Sequence, residues 1–234
     1  MERQVLITGA TKGIGLAISQ LLDASGYTVV GLARNMSSDF PGSLFCCDLS
    51  NSMETAKTLI QIKERFSEIT SVVNNVGIAL PQSFGAVDLD TFHQVYDLNV
   101  RVTLQVSQAV AEEMKAAHFG RIVNLGSLAM FGLKDRSSYA AAKAAIVGLT
   151  RTMALELAPF GITANVVAPG PVETELFRKT RPVGSDAEKA AVARIPLGRI
   201  GKPQEIAAVV KFLLSEDAGF ITGQTICVDG GGSI

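Results

Sequence analysis

An α/β domain built on a doubly wound parallel sheet of about seven strands, with helices on both faces, is the fold class this 234-residue sequence predicts. Three observations point there. Short runs rich in Val and Ile, without polar alternation, recur along the chain, as strands buried on both faces do. Segments with apolar spacing near that of a helix turn lie between them. A glycine-rich turn follows the first run and opens directly into a helical pattern. No linker, low-complexity tract or internal repeat divides the chain, so residues 1–234 are expected to form a single domain.

In chain order, the first strand is Val5–Thr8, followed by Thr8-Gly9-Ala10-Thr11-Lys12-Gly13-Ile14-Gly15. Glycines in such a turn let the backbone approach a ligand with no Cβ in the way. The helix expected over Gly13–Ser25 then offers unpaired N–H groups and the positive end of its dipole to a pyrophosphate. Thr28–Leu32 and Leu44–Cys47 read as the next strands, and Ser52–Phe66 as a helix. The strand Ser71–Asn74 leads to one long helix over Leu89–Ala117. After the strand Arg121–Leu125, a helix over Ser138–Ala158 carries Tyr139 and Lys143 four residues apart, on one face, where their tips can cooperate. Thr163–Val167 is a strand. The stretch from Pro171 to Arg199 reads as neither element, and its place after a strand on the carboxyl side of the sheet makes it a candidate substrate lid. Pro203–Leu214 and Thr225–Val228 supply the last helix and strand.

The charge pattern excludes several functions. A net charge of -1 gives no electrostatic footprint for nucleic acid or an anionic membrane. Charges interrupt every long apolar region, so no membrane span is expected. A strand-like run begins within the first few residues, leaving no room for a signal or transit peptide. Cys46, Cys47 and Cys227 lack any partner at metal-ligand spacing and read as small buried side chains in a reducing compartment; the expected location is cytoplasmic. His93 and His118 stand without carboxylate or cysteine company, and no metal site is expected.

The motif Thr8-Gly9-x-x-x-Gly13-Ile14-Gly15 resembles the glycine pattern of the short-chain dehydrogenase/reductase family, and further matches follow in that family's order. They are Asp48 after the third strand, Asn74-Asn75-Val76-Gly77 after the fourth, Asn99 in the long helix, Ser127, and Tyr139-x-x-x-Lys143. Pro169-Gly170-Pro171-Val172-x-Thr174 and Ile221-Thr222-Gly223-Gln224…Val228-Asp229-Gly230-Gly231 complete the set, so the resemblance spans essentially the whole chain. It implies a Rossmann-type dinucleotide-binding fold and a carbonyl reductase or alcohol dehydrogenase. The implied catalytic group is Asn99, Ser127, Tyr139 and Lys143. Tyr139 would be the proton donor, Ser127 would place the substrate oxygen, Lys143 would hold the nicotinamide ribose, and Asn99 would anchor a water. The implied cofactor contacts are Gly9, Thr11, Lys12, Gly13, Ile14, Gly15, Arg34, Asp48, Leu49, Asn75, Gly77, Tyr139, Lys143, Pro169, Gly170, Val172 and Thr174. A tyrosine titrates near pH ~10, and the Lys143 ammonium beside it is expected to lower that value. Two departures stand out: Val76 replaces the family's more usual alanine, and Ser127 lies twelve residues before Tyr139, one fewer than in many relatives.

Cofactor choice in such folds is read at the end of the second strand, where an acidic residue favours NAD. Ala33 occupies that slot here, Arg34 follows it, and Lys12 adds a second cation. Two cations without a carboxylate suit a 2′-phosphate, so NADP(H) is expected. The nearest branch of the family is that of the 3-oxoacyl-(acyl-carrier-protein) reductases, through Ile195-Pro196-Leu197-Gly198-Arg199 and Gly201-Lys202-Pro203-Gln204-Glu205. Arg178, Lys179, Arg181, Arg194 and Arg199 in the lid could meet an acidic carrier or a coenzyme A phosphate. Against that, His118-Phe119 and Phe160 stand where those reductases tend to have basic residues. A dehydrogenase of free secondary alcohols is the open alternative, and a non-catalytic dinucleotide sensor a more remote one. The pocket is expected to include Leu128, Met130, Phe131 and Val172, which suits a lipophilic carbonyl. Resemblance further implies a homotetramer joined through the two long helices and the last strand.

Overall fold

The computed structural model describes residues 3–234. The chain runs β1 (Arg3–Thr8), α1 (Gly13–Asp23), β2 (Tyr27–Ala33), β3 (Ser43–Cys46), α2 (Ser52–Arg65), β4 (Ile69–Asn74), α3 (Leu89–Tyr96) and α4 (Val102–Ala116). It continues with β5 (Gly120–Leu125), α5 (Ser137–Leu157), β6 (Ile162–Pro169), α6 (Glu175–Thr180), α7 (Asp186–Val192), α8 (Pro203–Leu214) and β7 (Thr225–Val228). All seven strands pair in parallel in the order β3-β2-β1-β4-β5-β6-β7.

Alternation along each strand divides the core into two layers. Val5 and Ile7 of β1 face α1 and α8, packing with Ile18, Leu22, Ile206 and Val210. Leu6 between them faces the opposite layer, with Leu59, Val102, Val106, Val110 and Met153 from α2, α4 and α5. Both sheet faces are therefore covered, which is why the strands lack polar alternation. The order reverses between β1 and β4, and the carboxyl ends of those strands form the crevice where such sheets take ligands.

A polar chain crosses the core beside that crevice. Asn74 Nδ2 donates to Ser107 Oγ at 2.9 Å and to Asn124 Oδ1 at 2.8 Å, and Asn124 Nδ2 donates to Thr150 Oγ1 at 2.8 Å. It ties β4 and β5 to α4 and α5, the elements that carry the site, and fixes their relative position.

Three expectations are revised. The single helix over Leu89–Ala117 contains a π turn, Asp97–Arg101, between α3 and α4. The stretch from Pro171 to Arg199 contains two short helices, α6 and α7, each started by a side-chain cap: Thr174 accepts from Phe177 N–H and Ser185 from Glu188 N–H. Cys46 is exposed and only Cys47 is buried, because β3 is an edge strand and successive residues face opposite sides.

Candidate active site

The glycine turn between β1 and α1 forms a cradle. Gly9 and Gly13 adopt φ +63° and +52°, the left-handed region that glycine reaches at little cost. A side chain at Gly15 would collide with the Gly9 carbonyl oxygen, and one at Gly13 would press on Thr174 at 3.2 Å. Helix α1 has no side-chain cap and no carboxylate in its first turn, so its leading N–H groups meet no internal anion. That end of the helix fits a phosphate. Asn75, implied above as a cofactor contact, spends its amide on the cradle: Nδ2 donates to the Thr8 and Gly9 carbonyl oxygens at 3.1 and 3.0 Å. The Asn75 and Val76 N–H groups both donate to Thr8 Oγ1 at 3.0 Å. Thr11 and Ile14 are half-buried in the same turn.

Ser127, Tyr139 and Lys143 come together at the end of β5 and the start of α5. Ser127 lies near enough to the Tyr139 phenol to favour its phenolate form, and Ser127 Oγ accepts from Ala129 N–H at 3.1 Å. Lys143 is buried, its Nζ lying 5.6 Å from the Tyr139 ring centroid and donating to the Leu125 carbonyl oxygen at 2.7 Å. Loss of hydration lowers the Lys143 pKa to about 8. The Tyr139 phenol moves the other way from the expectation. Burial pushes it up, outweighing the Ser127 side chain and the Arg136 charge that favour phenolate. Sequence reasoning weighed the neighbouring cation but had no measure of how deeply the helix sinks the ring.

Asn99 sits in the middle of the π turn and is 1% exposed. Its Nδ2 donates to the Val95 carbonyl oxygen, four residues back, at 2.8 Å and to that of Ile78 at 2.9 Å. The side chain thus adds its own bond to the helix where the turn widens. Its own carbonyl oxygen accepts from Thr103 Oγ1 at 2.9 Å, and Asn99 Oδ1 is buried with no protein partner. Gly77 is where Asn99 and Lys143 converge. A Cβ there would press into Asn99 Oδ1 and lie 3.5 Å from Lys143 Nζ. A polar ligand atom near Gly77 meets an acceptor and an ammonium together.

The adenosine end differs from expectation in one respect. Ala33 is buried in register with Cys46, and Arg34 is exposed. The Asp48 carboxylate, itself held low by Ser50 hydrogen bonds, feels the Arg34 charge. Lys12 Nζ lies 3.9 Å from Glu175 of α6. Each of the two cations therefore has a carboxylate neighbour brought near by folding. Leu49 is buried, and its carbonyl oxygen accepts from Arg101 Nη2 at 2.7 Å.

At the root of the lid, Gly170 N–H donates to the Val228 carbonyl oxygen at 3.1 Å, next to Pro169 at the end of β6. Val172 is buried and pairs with Gly201 as a β-bridge, while Leu128 and Met130 are half-buried and Phe131 is exposed. Two of the five lid cations, Arg178 and Arg199, are in ion pairs. Arg178 pairs with Glu173 and with Glu188, binding α6 to α7, and lies with Arg181 over the Phe177 ring. Arg199 pairs with Glu205, whose carboxyl falls to about 2 beside it. Lys179 and Arg194 are exposed and in no ion pair among the described residues. Sequence reasoning missed Arg136, one helical turn ahead of Tyr139; its only signal was its place before the helix.

Residues 9–233 match the family model described as enoyl-(acyl carrier protein) reductase. The chain belongs to the short-chain dehydrogenase/reductase family. Among its relatives is the 3-oxoacyl-[acyl-carrier-protein] reductase MabA of Mycobacterium tuberculosis, 36% identical over 234 residues, covering 99% of this chain and 93% of the relative. The 3-oxoacyl-[acyl-carrier-protein] reductase FabG of Escherichia coli is 35% identical over 235 residues, covering 97% and 95%. Among solved structures, the ligand-free aldohexose dehydrogenase AldT of Thermoplasma acidophilum superposes with TM-score 0.93 at 32% identity, covering 99% and 94%. YwfH, an NADPH-dependent reductase of bacilysin biosynthesis, gives TM-score 0.92 at 25% identity, covering 100% and 99%.

Proposed function

We propose that this chain is an NADP(H)-dependent reductase that converts a ketone, a 3-oxoacyl thioester or similar lipophilic carbonyl, to a secondary alcohol, with Tyr139 as proton donor. The observation that carries the reading is the neighbouring Ser127 and Tyr139 side chains beside the buried Lys143, next to a cradle that only glycines allow. MabA and FabG, similar over almost their whole length, favour ketone reduction over the enoyl reduction in the family model's description.

Bound in the cradle, the nicotinamide cofactor would supply a hydride to the carbonyl carbon. Gly9, Thr11, Lys12, Gly13, Ile14 and Gly15 would hold its phosphates, with Asn75 keeping the turn in shape. Arg34 and Lys12 would take the 2′-phosphate, exchanging exposed carboxylate contacts of little net worth for charge-assisted bonds of about 1.5–3 kcal/mol. Asp48, Leu49, Gly77, Pro169, Gly170, Val172 and Thr174 would line the remainder. Ser127 orients the substrate oxygen, and Tyr139 gives it a proton while the carbonyl carbon gains its hydrogen. Lys143 would hold the polar groups next to Gly77, and Asn99 Oδ1 would accept from a water that relays a solvent proton through Lys143 to Tyr139. The chain acts as one domain in the cytoplasm, with the segment 171–199 over the substrate, and assembles as a homotetramer.

Tyr139→Phe tests the reading. With an acetoacetyl thioester, wild-type protein should consume NADPH, followed by its absorbance. The variant should bind NADPH normally and lose at least a hundredfold in turnover, the scale of one acid–base group. Equal turnover by the variant would remove Tyr139 from the mechanism. NADPH binding by wild-type protein with no turnover of any carbonyl would favour the sensor instead.

A further inference from the structure

Arg136 is half-buried at the amino end of α5, three residues before Tyr139. Its Nη1 donates to the Asp135 carbonyl oxygen at 3.0 Å, and it belongs to no ion pair among the described residues. Most of the N–H fork of this guanidinium is therefore uncommitted. The turn that presents it is held in an unusual conformation. Asp135 has φ +59°, one of two non-glycine residues with positive φ among those described. Gln82 N–H donates to the Asp135 carbonyl oxygen at 3.0 Å, and Gln82 pairs with Arg136 as a β-bridge. Strain of this kind persists only where the surroundings impose it, and it clusters at ligand sites. Gln82 Oε1 is buried there without a partner.

Exposed apolar side chains flank this turn along the chain. Phe131 and Leu133, in the loop between Ser127 and Tyr139, are exposed, as is Phe84 two residues beyond Gln82. The loop's other charges are Lys134 and the Asp135 carboxylate, neither in an ion pair among the described residues, so the loop carries one net positive charge. In the lid, Arg178 and Arg199 are held by glutamates, Arg181 lies over the Phe177 ring, and Lys179 and Arg194 are exposed.

We infer that the substrate is a keto acid, its carboxylate held by Arg136 while Tyr139 and Ser127 hold its keto oxygen. The inference rests on the reductase reading above, keeps its ketone reduction, and replaces the neutral thioester with a free acid as substrate. A guanidinium binds a carboxylate through two parallel charged bonds. A thioester offers it one neutral acceptor and leaves the half-buried charge uncompensated. The reaction is unchanged: hydride from the reduced nicotinamide forms the C–H bond, the Tyr139 proton forms the O–H bond, and the carbonyl π bond breaks. The carboxylate takes no part in bond making.

The test compares acetoacetate, methyl acetoacetate and the acetoacetyl thioester of N-acetylcysteamine, with NADPH, in wild type, Arg136→Gln and Arg136→Lys. Wild type should favour the acid over both neutral compounds. In Arg136→Gln the acid-to-ester ratio of kcat/KM should fall roughly tenfold or more, mainly through KM, and Arg136→Lys should restore part of it. Any effect of Arg136 on Tyr139 slows both substrates alike and cancels in the ratio. A ratio unchanged in Arg136→Gln, or a wild type that prefers the neutral thioester, overturns the keto-acid assignment and leaves the reductase standing. Should Arg136→Gln fail to fold, the wild-type preference and Arg136→Lys decide. No wild-type turnover of any of the three, with NADPH bound, overturns the reductase reading and this one with it.

Discussion

Lys143 holds its proton in a place where hydration no longer supports it, at a pKa of about 8 instead of 10.5. Tyr139, a turn earlier on the same helix, is pushed upward by burial and stays protonated through the neutral range. The two shifts separate the groups. As pH rises through about 8 the free protein loses the ammonium first, while the phenol keeps its proton. The kcat/KM for carbonyl reduction should therefore fall above pH about 8, a limb that reports the free enzyme. Lys143→Arg, which cannot deprotonate, should show no such limb between about pH 7 and 9.5, whatever its absolute rate. A limb that survives in the arginine variant would assign the titration elsewhere. The spacing of Tyr139 and Lys143 was legible in the sequence. The sign of the tyrosine shift was not, because burial is a property of the packed helix. Arg136 was illegible for the same reason: a cation gains meaning from what surrounds it, and only folding sets Asp135, Gln82 and Tyr139 around it.

Among the elements, β2 shows how far register alone can be read. Ala33 falls at the strand's end opposite Cys46, and Arg34 emerges beyond it, where the sequence puts them. What the strand pattern concealed is Asp48, carried back toward Arg34 by the turn after β3. The exposed carboxylate weakens the case for a 2′-phosphate without removing it, since an exposed pair contributes about 1 kcal/mol or less. Wild-type protein should bind NADPH at least tenfold more tightly than NADH by fluorescence titration. Ala33→Asp with Arg34→Ala should invert that order, and equal wild-type affinities would remove the NADP assignment. The long helix was legible as a helix, but its π turn was not, because apolar spacing passes through one widened turn almost unchanged. The two lid helices were hidden by their brevity: α6 has six residues and α7 seven, too few for a period to declare itself.

For the molecule as a whole, the parallel sheet and the two-layer core follow from the strand–helix alternation, because parallel strands need covered crossovers on both faces, whereas the strand order is set only in the fold. Assembly is the feature that a single chain leaves to its surface. On α5 the outward residues Ala141, Ala144, Gly148, Arg151, Thr152 and Leu155 are exposed, and Leu104 on α4 is exposed as well. Small side chains on that face permit a second copy to approach closely, in keeping with the proposed homotetramer. Sedimentation velocity should find a species larger than a dimer for wild type. Leu155→Arg should shift it toward smaller species by placing a charge in the apolar contact. A wild-type monomer would remove the assembly from the proposal.

The amide of Asn99, bonded to Val95 within the π turn, ties the winding of a helix to the contents of a site. A π turn holds one residue more than the α turn it replaces. Deleting one residue between 97 and 101 would let the turn close into ordinary α geometry, and the stripe of Val102, Val106, Val110 and Met114 would keep its phase against the sheet. The hydrophobic core would absorb that loss. The deletion would instead remove the place that sets Asn99 Oδ1 beside Gly77 and Lys143. The extra residue is kept by the site and not by the core.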